Sequence, residues 1–160
     1  MEVLMSNAAT NILRQFWNNT TPVDPAFIAA KMGVDVHADA NFGEGSGEYF
    51  PFGKNGHGTP TIVYNARESA VRKRFTIAHE LGHHVLGHGQ SPRDTDYPAA
   101  VADPRERDAN AFAAELLMPA DAIKAFIHVR NIQTIEQLAW YFQVSTAAMT
   151  YRLRGLGYNA

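Results

Sequence analysis

Apolar residues recur at helical spacing from Val3 to Trp17, with Met5, Ala9, Ile12, Leu13 and Phe16 on one side. That pattern predicts an amphipathic helix. Asn18-Asn19-Thr20-Thr21-Pro22 breaks it. Asp24-Pro25 reads as an N-cap followed by proline at the first helical position, opening a short helix that ends at Met32, before Gly33. Val34–Val36, Glu48–Phe52 and Thr61–Tyr64 read as strands, and the glycines of Asn41–Gly47 and 53–58 mark the loops between them. A small antiparallel sheet is the simplest assembly of these strands.

The second half of the chain changes period. Asn65 and Glu68 have capping-box spacing and predict a long helix over 66–86, stopped by Gly87. Gln90–Ala102 is polar and reads as a surface loop. Asp103-Pro104 repeats the cap-then-proline signal, and its helix runs to Met118, before Pro119. Further helices are expected over Ala120–His128, Ile135–Phe142 and Thr146–Arg154, with Thr134 and Ser145 as starts of the last two. The fold class is therefore α+β: a mainly helical domain over 1–160 with a small antiparallel sheet and a helical C-terminal segment.

Composition narrows the chemistry. The chain has 160 residues, 46% hydrophobic and 19% charged, the balance of a globular protein. Its 14 Lys+Arg and 16 Asp+Glu leave a net charge of −2, which argues against a whole-molecule basic field for nucleic acid. The absence of cysteine excludes disulfides, thiolate metal sites and cysteine catalysis. Met1–Thr10 lacks the pattern of an export signal. No apolar run approaches the roughly 20 residues of a membrane span, so a cytoplasmic location with no membrane partner is expected.

Candidate chemistry concentrates in His79-Glu80-Leu81-Gly82-His83, an HExxH motif. Four residues of helix turn about 400°, which stacks the two imidazoles on one face where they can share a metal ion. Glu80 lies roughly 100° around and can reach a water beside that ion. This suits metal-assisted hydrolysis with Glu80 as general base. Val71, Phe75, Ala78, Gly82 and Val85 form an apolar arc on one side of His79, and Ile77 and Leu81 lie on the other, so the helix is expected to be buried. The longer metzincin pattern is absent, because positions 86 and 89 hold Leu86 and Gly89. His84 points about 140° away from His79 and His88 lies beyond Gly87. Both read as surface histidines.

A third ligand is sought on the next helix, which offers Glu106, Asp108 and Glu115. Ala109, Asn110, Ala113, Leu116 and Leu117 cluster around the direction of Glu106, whereas Asp108 and Glu115 fall on the opposite, solvent side. Glu106 is thus the carboxylate on the apolar face, although its spacing from Asp103 also fits a capping box. Asn110, one turn on, is placed to orient a liganding histidine.

Arg74-Phe75-Thr76-Ile77-Ala78-His79-Glu80-Leu81-Gly82-His83, then Leu86-Gly87-His88, closely resembles the core of the ImmA/IrrE metallopeptidase-like family. Glu106, Ala109-Asn110 and Phe112–Pro119 resemble its second signature. The resemblance implies a zincin-like fold with a thermolysin-like ligand arrangement: His79, His83 and Glu106 holding Zn2+, Glu80 as catalytic base. It further implies a zinc-dependent endopeptidase of bacterial or phage origin that relieves transcriptional repression by cutting an XRE-type helix-turn-helix repressor. Other members of the family are toxin-like. The alternative is a metal-stabilised regulatory or toxin-like interaction module, with little protease activity, that binds DNA or a partner protein.

Residues 134–155 form a helix-turn-helix-like pair joined at Gln143-Val144-Ser145, with Ala139, Val144 and Leu153 as inward positions. Its second helix carries Thr146, Thr150, Arg152 and Arg154. Two cations are thin for phosphate contacts, so a tail packed on the core is the favoured reading and DNA the weaker one. Arg67, Arg72, Lys73 and Arg74 form a second basic cluster, read as a solvated helix start. Phe16, Trp17, Trp140 and Tyr141 are expected in the core, and His37 and His57 at the surface.

Overall fold

The computed structural model describes residues 2–90 and 103–160; the loop expected over 91–102 lies outside the described residues. The chain runs through α1 (Glu2–Phe16), α2 (Pro25–Lys31), β1 (Asp35–Asp39), β2 (Gly47–Phe50), β3 (Thr61–Asn65) and α3 (Ala70–Val85). It continues through α4 (Pro104–Leu117), α5 (Ala120–His128), α6 (Ile135–Phe142) and α7 (Thr146–Gly155). This is the expected α+β class. Most helix starts follow the capping chemistry of the sequence. Asp24 accepts from the Ala26 and Phe27 amides, Asp103 from Arg105, Thr134 from Gln137 and Ser145 from Ala148.

Two expectations are corrected. The sheet is mixed, not antiparallel: strand order is β1-β3-β2, with β2 antiparallel to β3 and β1 parallel to it. The cause is the glycine-rich loop after β1, which crosses the end of β3 instead of turning back as a hairpin. Asn65 pins that crossing, donating from Nδ2 to the Gly43 and Gly45 carbonyls at 3.3 and 3.0 Å. The Ala66 amide donates to Asp39 O and the Asn65 amide to Ser46 O, which clamps both ends of the loop. Asn65 is therefore engaged in the loop and in a local turn to the Arg67 amide. The long helix starts later than expected, at Ala70, where Ser69 accepts from the Arg72 amide.

The central layer is α3, packed on the sheet by one side and on α4 by the other. Every residue from Thr76 to Gly82, and His83 after it, is buried, so the helix lacks a solvent face over more than two turns. Gly82 permits the crossing with α4. A Cβ there would lie 3.1 Å from Phe112 Cδ1 and 3.2 Å from Ala109 Cα, tighter than a relaxed contact. Ala would face that crowding while regaining about 1 kcal/mol of helix propensity. Val adds two methyl groups against backbone that cannot yield. Gly82→Val is expected to lower stability by at least about 2 kcal/mol, read as a reduced urea midpoint at unchanged slope.

The C-terminal helices pack on the core, the favoured reading. Leu138, Ala139, Phe142, Val144, Met149 and Leu153 join the cluster of Leu81, Phe112 and Leu116. Among the aromatics, Phe16, Trp17 and Tyr141 pack against this core, while Trp140 is 67% exposed, contrary to expectation. Two arginines read as surface cations are interior ties. Arg152 Nε donates to Met118 O at the end of α4. Arg74 donates to the carbonyls of Val23, Phe142 and Gln143, joining α3 to the turn between α6 and α7. Burial lowers the pKa of both guanidiniums. Arg152 also lies near Glu115, which, like Asp108, is half-buried and not on a solvent face.

Candidate metal centre

The HExxH residues sit in the most enclosed stretch of α3. His79, Glu80 and His83 are 4%, 0% and 1% exposed, and one donor atom from each lies within 4.8 Å of the others. The His79 and His83 Nε2 atoms are 3.2 Å apart, as expected of imidazoles one turn apart on one helix face.

Glu106 arrives from α4. Its Oε2 is 2.8 Å from His79 Nε2 and its Oε1 is 2.9 Å from His83 Nε2. Burial alone would raise its carboxyl pKa, but the hydrogen bonds and charge of His79 and His83 outweigh it and hold the group well below the ordinary carboxylate range. The capping alternative for Glu106 is not realised: the cap of α4 is Asp103 alone, and Glu106 turns inward. Asn110, one turn on, stands as expected, with Oδ1 2.7 Å from His79 Nδ1. A metal at Nε2 would place the proton of the neutral ring on Nδ1, where Asn110 is the acceptor.

The donor set fits a divalent ion. Two neutral imidazoles and a carboxylate are the protein ligands of one class of catalytic zinc site. Ligand atoms at about 2.0–2.1 Å from a tetrahedral ion lie roughly 3.3 Å apart. The two Nε2 atoms, 3.2 Å apart, match that spacing, and Glu106 presents one oxygen to each of them. Glu106 spans both histidines with one oxygen each, and Glu80 brings a second carboxylate within 4.8 Å of the histidine donor atoms.

The sheet flanks this point. Gly47 of β2 lies against α3: a Cβ there would collide with Thr76 Cγ2 and come within 3.5 Å of Glu80 Cγ. Two residues along the same face, Tyr49 presents its hydroxyl to His84 Nδ1 at 2.6 Å. His84 is thus an inner tie between α3 and the sheet, not the surface histidine expected, and burial lowers its pKa. His88 is also corrected. It is half-buried, and its Nδ1 sits 2.9 Å from His83 Nδ1. The signal for it was present in the spacing, because a helix ended by Gly87 folds the next residue back over the preceding turn. His37 and His57 are exposed, as expected.

A mixed sheet laid along a buried HExxH helix, with a second helix bringing a glutamate to both histidines, is the architecture of a metallopeptidase-type domain. The profile of the IrrE N-terminal-like domain (Peptidase_M78) matches residues 29–154, and the chain belongs to that family. It is 27% identical over 100 residues, 62% of this chain, to the Metallopeptidase ImmA of Bacillus subtilis (strain 168). It also superimposes on a Mycobacterium tuberculosis transcriptional regulator with a TM-score of 0.64 at 20% identity, over 96% of this chain, a likeness of fold. The chain spans 59% of the length of the ImmA relative and 47% of the regulator. No described helix is long and apolar enough to cross a membrane.

Proposed function

We propose that this chain is a zinc-dependent endopeptidase of the cytoplasm that cuts a regulatory protein, an XRE-type helix-turn-helix repressor. The observation that carries the reading is Glu106 bridging the Nε2 atoms of His79 and His83 with one oxygen each. His79, His83 and Glu106 would hold the ion. When bound, zinc supplies Lewis-acid polarisation of the scissile carbonyl. Glu80 takes a proton from the attacking water and passes it to the leaving amine. Full burial of Glu80 keeps bulk water from competing for that proton. Asn110 holds His79 by Nδ1 and so orients its Nε2.

The alternative of a purely structural ion calls for a fourth protein ligand. His84, the next histidine on α3, is turned to the Tyr49 hydroxyl, and His88, just beyond α3, meets His83 at Nδ1, on the far side of that ring from Nε2. The alternative of a DNA-binding tail relies on Arg152 and Arg154, whose Nε atoms donate to the Met118 and Ala160 carbonyls within the chain. The choice of repressor as substrate rests on the family resemblance.

The test combines metal analysis with a search for new N-termini. Protein purified without a metal-binding tag is expected to carry about one zinc per chain by mass spectrometry. In cells expressing it, a helix-turn-helix protein should acquire a new N-terminus, and the purified pair should reproduce the cut only with metal present. Cleavage that persists at full rate after complete metal removal would overturn the mechanism.

A further inference from the structure

The end of α3 has a specific hydrogen-bond pattern. The His88 amide donates to His83 O at 3.0 Å and the Gly87 amide donates to His84 O at 3.3 Å. Gly87 has φ +71°. These are the two bonds and the left-handed residue of a Schellman motif. The motif places the second residue beyond the cap against the third residue from the helix end, here His88 against His83. An apolar pair commonly fills that contact. In this chain it is an imidazole pair, with Nδ1 to Nδ1 at 2.9 Å, ring centroids 5.1 Å apart and planes at 64°.

Two facing ring nitrogens at that distance share one proton. His83 directs Nε2 toward Glu106. If Nε2 is to ligate a metal, the proton of the neutral ring must be on Nδ1, so Nδ1 of His88 must be the acceptor. We propose that His88 is the positioning residue for His83, holding it in the Nδ1–H tautomer with Nε2 aimed at the metal point. Asn110 does the same for His79 through Oδ1. The two histidines would then be oriented by separate devices, one from α4 and one from the cap of α3 itself. This inference rests on the metal reading above.

Removing an outer partner of a liganding histidine weakens metal binding by about 10- to 100-fold. His88→Phe keeps a ring of similar size and deletes the acceptor. His88→Asn keeps an acceptor near the position of Nδ1. Zinc affinity of the full chain is measured by competition with a fluorescent chelator, alongside thermal unfolding of the metal-free proteins. The Phe variant is expected to bind zinc about 10- to 100-fold more weakly, and the Asn variant to recover most of that loss, at similar metal-free melting temperatures. A purely packing role would favour Phe over Asn, the opposite order.

Equal affinity of wild type and the Phe variant would overturn the role of His88. So would equal loss in both variants. If wild type takes up no zinc at all, the metal reading fails and this role with it, a distinguishable result. Nitrogen-15 spectra of the zinc-loaded wild type decide the matter even if a variant does not fold. His83 should carry its proton at Nδ1, and His88 at Nε2. A proton on His88 Nδ1 would refute the assignment.

Discussion

Glu106→Ala is expected to abolish stoichiometric zinc uptake. The carboxylate contributes one oxygen to each histidine at 2.8 and 2.9 Å, and it brings the negative charge that a divalent ion needs in a buried site. With alanine, two imidazoles 3.2 Å apart remain as the only ligands of the proposed three. Affinity should fall by more than the about 10- to 100-fold that follows loss of an outer partner, because an inner ligand and a full charge disappear together. The metal-free protein should also lose roughly 1–3 kcal/mol for each buried imidazole left without its acceptor. Metal content by mass spectrometry and urea unfolding of both metal-free proteins read the two effects separately. A variant that still holds about one zinc per chain at wild-type affinity would put the third ligand elsewhere, and Glu80 is the other carboxylate within reach.

The site was legible because each of its signals is local to one helix. HExxH stacks two imidazoles by helical geometry alone, and the apolar arc around Glu106 picks it out from Asp108 and Glu115. Asn110 follows from the same face. All four meet in the structure because α3 and α4 cross at small residues, Gly82 against Ala109. Most of the failures share a different cause: they depend on a partner distant in sequence. Asn65 looks like a helix cap until the loop at Gly43 and Gly45 takes its amide. The parallel pairing of β1 with β3 follows from that same loop crossing, which hydrophobic alternation does not encode. Arg74 and Arg152 read as surface charge because a sequence does not show which carbonyls are left open at helix ends. Phe142, Gln143 and Met118 supply those carbonyls, and the guanidiniums satisfy them. His88 is the intermediate case: its contact with His83 is local, and the Gly87 stop was recognised without its consequence for the residue that follows.

Glu80→Gln is expected to leave zinc binding intact while peptide hydrolysis falls by about 10²- to 10⁴-fold. That corresponds to roughly 2.7–5.5 kcal/mol of transition-state stabilisation at 1.36 kcal/mol per factor of ten. The substitution is nearly isosteric, which matters because Glu80 is fully enclosed and lies close to Gly47, where the sheet leaves no spare volume. Glutamine retains the shape and can still hydrogen-bond to water, but it cannot accept the proton. The loss should therefore fall on kcat with KM little changed, the signature of an interaction made only in the transition state. Comparison with Glu106→Ala separates the two carboxylates: one variant should lose the ion, the other only the chemistry. If Glu80→Gln cleaves its partner at the wild-type rate with metal bound, Glu80 is not the base. If it loses zinc as Glu106→Ala does, Glu80 is a ligand. Glu106 would then be left as the acceptor that orients the histidine pair, one oxygen to each ring.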